Sequence, residues 1–152
     1  MDITIQAALP HQAAELSAIA LKAKGHWGYS SAQLERWRTE FLTITAEYIA
    51  ANQVWVACVA APRPVGFAAL ERHGGQAVLE HLWVLPDYIG KGVGRRLFEH
   101  VAAAVPRFTF TSDPHADDFY YRMGAQKIGE QESTLQNRML TVFEYIERGM
   151  KI

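Results

Sequence analysis

Leu79-Glu80-His81-Leu82-Trp83-Val84-Leu85-Pro86-Asp87-Tyr88-Ile89-Gly90-Lys91-Gly92-Val93-Gly94-Arg95-Arg96-Leu97 is the stretch that decides the fold. Its first part is apolar and strand-like, and Pro86-Asp87 stops it. Its last part opens a helix with Val93, Leu97, Val101 and Val105 at i, i+4, i+8 and i+12, one buried face. Between them Gly90, Gly92 and Gly94 alternate. A helix start carries unpaired N–H groups and a partial positive charge, and glycines let a ligand approach the backbone. Lys91, Arg95 and Arg96 surround the loop. Cations there oppose the helix dipole by roughly 0.3–1 kcal/mol, a placement that makes sense where a polyanion binds. The plain alternative is a glycine-rich helix start with incidental surface cations.

Two other phosphate loops fail. Walker A needs Ser or Thr after Gly-Lys, but Gly92 follows Lys91. The dinucleotide fingerprint needs GxGxxG in an N-terminal parallel βαβ unit, and this loop reads GxGxG without one.

Working outward, Gly74-Gly75 signals a tight turn between strands Val65–Arg72 and Ala77–Leu85, and Val54–Ala60 is a further β-branched strand. Ile3, Ile5 and Ala7 alternate as an opening strand. Ala14, Leu16, Ile19, Ala20 and Ala23 recur at helical spacing up to Gly25. Ser30 or Ser31 caps a helix from Ala32 to about Phe41, with Trp37 and Phe41 on a buried face, and Thr45 caps another carrying Tyr48 and Ile49. Downstream come a strand at Arg107–Thr111, a helix at Ala116–Met123 ended by Gly124, and strands near Gln126–Glu130 and Leu140–Ile146. The order β-α-α-β-β-β-α-β-α-β-β predicts an α/β (α+β) three-layer sandwich, one domain over residues 1–152. Its mixed sheet has about six to seven strands flanked by about four to five helices.

The 152 residues are 49% hydrophobic and 20% charged, enough apolar material for a core. A net charge of −1 argues against non-specific nucleic-acid binding. Cys58 is the only cysteine, so there is neither an internal disulfide nor a zinc framework, and no metal is expected. No apolar run approaches the roughly 18 residues of a membrane span, and the N-terminus does not read as a signal peptide, so a cytoplasmic location is expected.

The central stretch resembles the GNAT superfamily of N-acetyltransferases, whose motif is Gln/Arg-x-x-Gly-x-Gly/Ala after a strand and a short turn. Phe119-Tyr120-Tyr121-Arg122-Met123-Gly124-Ala125 resembles its Phe-Tyr-x-x-x-Gly-Phe signature. The resemblance implies acetyl-CoA as co-substrate. By it, Leu82, Trp83 and Val84 pair their backbone with the pantetheine arm, the amides of Gly90, Lys91, Gly92, Val93, Gly94 and Arg95 cradle the pyrophosphate, and Tyr120 protonates the departing thiolate. Three positions depart from the pattern. Ile89 replaces the usual Gln or Arg, Asp113 stands where many members carry a cofactor-contacting Asn, and Ala125 replaces an aromatic.

Acetyl transfer needs a neutral amine, a polarised carbonyl and a proton for sulfur. The Val84 N–H is the expected polariser. Strand alternation places Glu80 on the face of Leu82 and Val84, which makes it the candidate base; a merely solvated carboxylate is the alternative. A two-residue hairpin sets Ala69 opposite Glu80 and Glu71 diagonal to it, where two carboxylates attract a cationic amine. His81 falls on the opposite face. The loop with His26, Trp27 and Tyr29 lies where the family builds its acceptor pocket, and Trp27 and Tyr29 suit an aromatic wall for an amine; rings that only staple the loop to the core are the alternative. The expected acceptor is the primary amine of a small molecule. Protein or peptide acetylation and a non-catalytic acyl-CoA-binding module are the alternatives, and the resemblance makes a homodimer one option.

Overall fold

The apolar run of β2 (Gln53–Val59) lies between β1 (Ile3–Ala7) and β3 (Pro64–His73), and both neighbours are antiparallel to it. In the computed structural model, which describes residues 2–60, 62–133 and 138–147, β4 (Gln76–Val84), β5 (Arg107–Ser112), β6 (Gln126–Glu132) and β7 (Met139–Ile146) complete one mixed sheet. The strand order is β1-β2-β3-β4-β5-β7-β6. Both ends of the expected 1–152 domain lie outside the described residues. Among those described, no helix is long and apolar enough to cross a membrane.

Helices cover both faces of the sheet. On one side α4 (Val93–Ala104) buries Val93, Leu97 and Val101 completely against β3 and β4, with Val105 just beyond its end at 4% exposure. That is the stripe read from the sequence, and each such side chain contributes about 1.5–3 kcal/mol on burial. The short α5 (Asp117–Arg122) adds Tyr120 to the same core. On the other side α1 (Ala13–Gly25) contributes Leu16, Ile19 and Ala20, α2 (Ser31–Trp37) contributes Trp37, and α3 (Ala46–Ala51) contributes Ile49.

Ser30 caps α2 by accepting from the Gln33 N–H, and Thr45 caps α3 by accepting from Tyr48. Three helices therefore precede β2, one more than the predicted order, because Thr45 starts a separate one. The chain after Trp37 widens into a π-type turn over Arg38–Leu42. That extra residue per turn carries Phe41 off the buried face, so it is 38% exposed while Trp37 is 4% exposed.

Gly74 and Gly75 both have positive φ, and His73 pairs with Gln76, the two-residue hairpin read from the sequence. The simple register holds only as far as Leu70–Leu79. A bulge at Glu80 then shifts it, so Ala69 pairs with His81 rather than Glu80. Further along, Gly66 sits beneath α4. A Cβ there would lie 2.8 Å from the Trp83 carbonyl oxygen and 3.2 Å from both Val93 and Leu97. Gly66→Ala should cost about 1–3 kcal/mol through backbone displacement, read as a lower midpoint in urea unfolding.

Candidate active site

Strands β4 and β5 are parallel neighbours joined at one pairing, Val78–Thr109. Beyond it they part, and Leu79–Val84 faces Phe110, Thr111 and Asp113 across a cleft of about 530 Å³. The Leu85 N–H donates to the Val65 carbonyl at 2.8 Å. Amide direction alternates along a strand, so the Leu82 and Val84 N–H groups turn away from β3, toward β5 and the cleft. The cleft continues to the glycine loop. Gly90 and Gly92 hold φ of 78° and 88°, a region that L side chains resist. The first α4 hydrogen bond runs from Arg96 N–H to the Gly92 carbonyl, which leaves the amides of Val93, Gly94 and Arg95 without a helical acceptor. An extended thioester arm ending in phosphates fits this arrangement: strand amides for the arm, helix-start amides for the anion.

Tyr120 lines the cleft and is 8% exposed, its ring packed on Phe110 and Phe119 with centroids 4.5 and 5.1 Å away. Burial, followed by the charges of Asp113 and Asp117, holds its hydroxyl well above the ordinary phenol value. It stays protonated through the neutral range.

The bulge alters the reading of Glu80. Leu79 packs in the α4-side core, whereas His81, two residues on, meets Tyr48 and Phe67 on the opposite side. Alternation is broken between them, so the argument that Glu80 shares a face with Leu82 and Val84 does not hold. Its environment is that of Glu71 and Tyr48. Glu80 is exposed by surface area, yet the cleft walls remove part of its hydration. Burial raises its carboxyl above the ordinary value, Glu71 adds to this, and His73 works against it. Glu71 accepts from the Tyr48 hydroxyl at 2.6 Å and meets His73 Nε2 at 2.9 Å, outside the cleft lining. Burial pushes His81 down to about 4, and it accepts a hydrogen bond from Trp83 Nε1 at 3.0 Å.

The far end of the cleft is closed by a network centred on Asp113. Lys24 Nζ lies 2.5 Å from Oδ2, the Tyr29 hydroxyl donates to the same oxygen at 2.7 Å, and His115 Nδ1 is 2.8 Å from Oδ1. Arg138 donates to the Tyr29 oxygen at 2.6 Å and sits 3.6 Å from Asp113. Burial acts to raise the Asp113 carboxyl, but Lys24 and the hydrogen bonds outweigh it and hold the group far below the usual carboxylate range. Burial lowers Lys24, against the pull of Asp113, and raises Tyr29 to about 12. Trp27 stacks on His115 with ring centroids 5.0 Å apart and planes 7° off parallel.

The cleft thus gathers most of the residues singled out from the sequence: Glu80, Leu82, Trp83, Val84, Ile89, Gly90, Gly92, Gly94, Arg95, Asp113, Tyr120 and Trp27. The others stand outside its lining. Val93 is core, Lys91 lies over the Tyr88 ring, and His26 packs edge-on against Trp27. Tyr29 is an anchor of the network rather than an open aromatic wall, since its hydroxyl is taken and its ring meets Trp37. The place expected to hold a cofactor-contacting side chain has both Asp113 oxygens already engaged by Lys24, Tyr29 and His115. Lys24, His115 and Arg138 were missed. Lys24 alone left a signal, because it continues the buried α1 stripe of Leu16 and Ala20 at i+8 and i+4.

Comparison with known proteins agrees with this geometry. The acetyltransferase (GNAT) domain family matches residues 50–124. The uncharacterised N-acetyltransferase YafP of Escherichia coli (strain K12) is 28% identical over 128 residues, 84% of this chain and 81% of that one. The peptidyl-lysine N-acetyltransferase YjaB of the same organism is 32% identical over 99 residues, 63% of this chain and 65% of that one. The solution structure of apo YjaB matches with a TM-score of 0.74 and 28% identity, over 97% of this chain and 99% of that one. The PaiA N-acetyltransferase of Thermoplasma acidophilum, solved with coenzyme A, shares the fold with a TM-score of 0.76 at 17% identity, over 96% of this chain and 99% of that one. The parted sheet and these likenesses define an acetyltransferase. The chain belongs to the GNAT superfamily of N-acetyltransferases.

Asp113→Asn should cost about 3–5 kcal/mol by leaving Lys24 charged and unpaired, and Lys24→Met in the same chain should recover most of it. Since Asp113 is lowered on folding, its contribution is complete above pH about 4 and is lost as pH falls toward its native value. Urea unfolding between pH about 4 and about 2 should show a decline in the wild type that Asp113→Asn lacks.

Proposed function

We propose that the protein transfers an acetyl group from acetyl-CoA to a primary amine by direct attack on the thioester. One observation carries this reading: the cleft joins unpaired strand amides, unpaired helix-start amides and a buried, protonated tyrosine in one continuous space. The Leu82 and Val84 backbone takes the extended arm as an added strand would, and the Val84 N–H polarises the carbonyl. The amides of Gly92 to Arg95 hold the pyrophosphate, with Arg95 beside them. Ile89 supplies no side-chain contact, so the backbone does this work.

Tyr120 gives its proton to the leaving sulfur, a role suited to a hydroxyl kept neutral by burial. Glu80 takes the proton that the amine nitrogen loses on attack, and a carboxyl raised by burial, with Glu71 adding to it, suits that work. The narrow acceptor end, bounded by Trp27 and the Asp113 network, suits a slender alkylamine. We favour a small-molecule amine. The likeness to peptidyl-lysine N-acetyltransferase YjaB supports a second reading, in which the alkylamine is a lysine side chain.

Thiol release from acetyl-CoA, followed with a panel of small amines and lysine peptides, tests the reading. Release with amines alone supports the first acceptor, with peptides alone the second, and with neither overturns acetyl transfer. Tyr120→Phe should lower kcat about 100-fold while coenzyme A binding, read by calorimetry, stays nearly unchanged.

A further inference from the structure

His115 belongs to no motif, yet it lines the cleft with Glu80 and Tyr120. Its ring is fixed from two sides. Trp27 lies parallel to it, and Nδ1 sits 2.8 Å from Asp113 Oδ1 and 3.3 Å from the Tyr29 oxygen. The tautomer follows from these partners. Asp113 is bound to Lys24 and stays ionised, so it only accepts; the Tyr29 hydrogen is spent on Asp113 Oδ2. Nδ1 must therefore carry the hydrogen, which leaves the Nε2 lone pair free, and no hydrogen bond engages Nε2 among the described residues. An imidazole oriented by a half-buried carboxylate, with its second nitrogen open to a cleft, is the arrangement of a base. The charged groups around it are Asp113, then Lys24 of α1 and Arg138 at the start of β7 through Asp113, and Asp118 of α5 along the cleft wall.

We propose that His115 is a further catalytic residue, the base that neutralises the incoming ammonium before it attacks, with Asp113 as its positioning residue. This rests on the acetyl-transfer reading above. An alkylammonium must lose two protons from nitrogen to become an amide. His115 Nε2 takes the first and passes it to water, giving the free amine. The amine attacks, the C–N bond forms and the C–S bond breaks. Glu80 takes the second nitrogen proton, Tyr120 protonates sulfur, and the Glu80 proton returns to Tyr120 through water. One proton is released to solvent per turnover.

The test compares His115→Gln with Glu80→Gln on two acceptors, a primary alkylamine and an amine already neutral at pH 7. His115→Gln should lose about 100-fold in kcat/KM with the alkylamine, and at least tenfold less than that with the neutral one. Its loss should shrink as pH rises, while the Glu80→Gln loss should be similar for both acceptors. Added imidazole should restore part of the His115→Ala rate, which a merely structural role would not allow. Equal loss on both acceptors without imidazole rescue, or full alkylamine turnover by His115→Gln, overturns the proposal. A wild type that releases no thiol with any acceptor overturns the acetyl-transfer reading, and the proposal falls with it. Thermal unfolding and coenzyme A binding of each variant separate lost chemistry from lost fold.

Discussion

The site depends on two strands that touch once and then separate. Parallel neighbours normally share a ladder of hydrogen bonds, and β4 and β5 share the Val78–Thr109 pairing. Past it, amide groups of β4 lose their strand partner. A buried amide left unpaired costs about 1–3 kcal/mol, so the opening persists only because other contacts hold its walls. On one wall, β3 and β4 are paired along their length and α4 is pressed onto them over Gly66. On the other, β5 is held by β7 through six residue pairs from Arg107–Ile146 to Ser112–Thr141. Backbone groups that want a partner, fixed in place by walls that do not collapse, are what an extended ligand needs.

The bulge at Glu80 belongs to the same constraint. An extra residue in β4 increases the local twist and reverses which face each later side chain takes. That reversal puts Leu82 and Val84 with the α4-side core and Trp83 with the opposite one. Glu80 keeps the company of Glu71 and Tyr48, while the residues after it change face, so one irregularity shapes the wall beside that carboxylate.

Features built from neighbouring residues were legible in the sequence. The α4 stripe, the glycine loop, the Gly74-Gly75 turn and the Ser30 and Thr45 caps each depend on contacts within a few positions, and each appears as read. The bulge left no trace because no residue type marks it; Glu80 simply lacks a partner in the ladder. The Asp113 network left almost none, because its members are far apart in the chain, with a sequence separation of 89 for Lys24 and Asp113 and of 109 for Tyr29 and Arg138. Only folding brings α1, its following loop, the end of β5 and the start of β7 to one point. Tyr29 shows the consequence: its residue type suited an amine wall, but its hydroxyl and ring are occupied by partners that local pattern does not reveal.

Two carboxylates of the cleft, Glu80 and Asp113, are pushed in opposite directions by their neighbours. Burial acts to raise both. For Glu80 the charge of Glu71 adds to the effect; for Asp113 that of Lys24, with the hydrogen bonds, overcomes it. Divergence of this kind separates the work of like groups, because the raised one takes up a proton more readily than the lowered one. Glu80 is therefore the easier of the two to protonate, whereas Asp113 is a fixed anion. A fixed anion keeps the His115 hydrogen on Nδ1 whatever the state of Glu80, so the open Nε2 does not depend on the protons moving elsewhere in the cleft. The substitution that looks like a loss, an aspartate where the superfamily often has an asparagine, thus gives this cleft a permanent charge against which an imidazole is oriented.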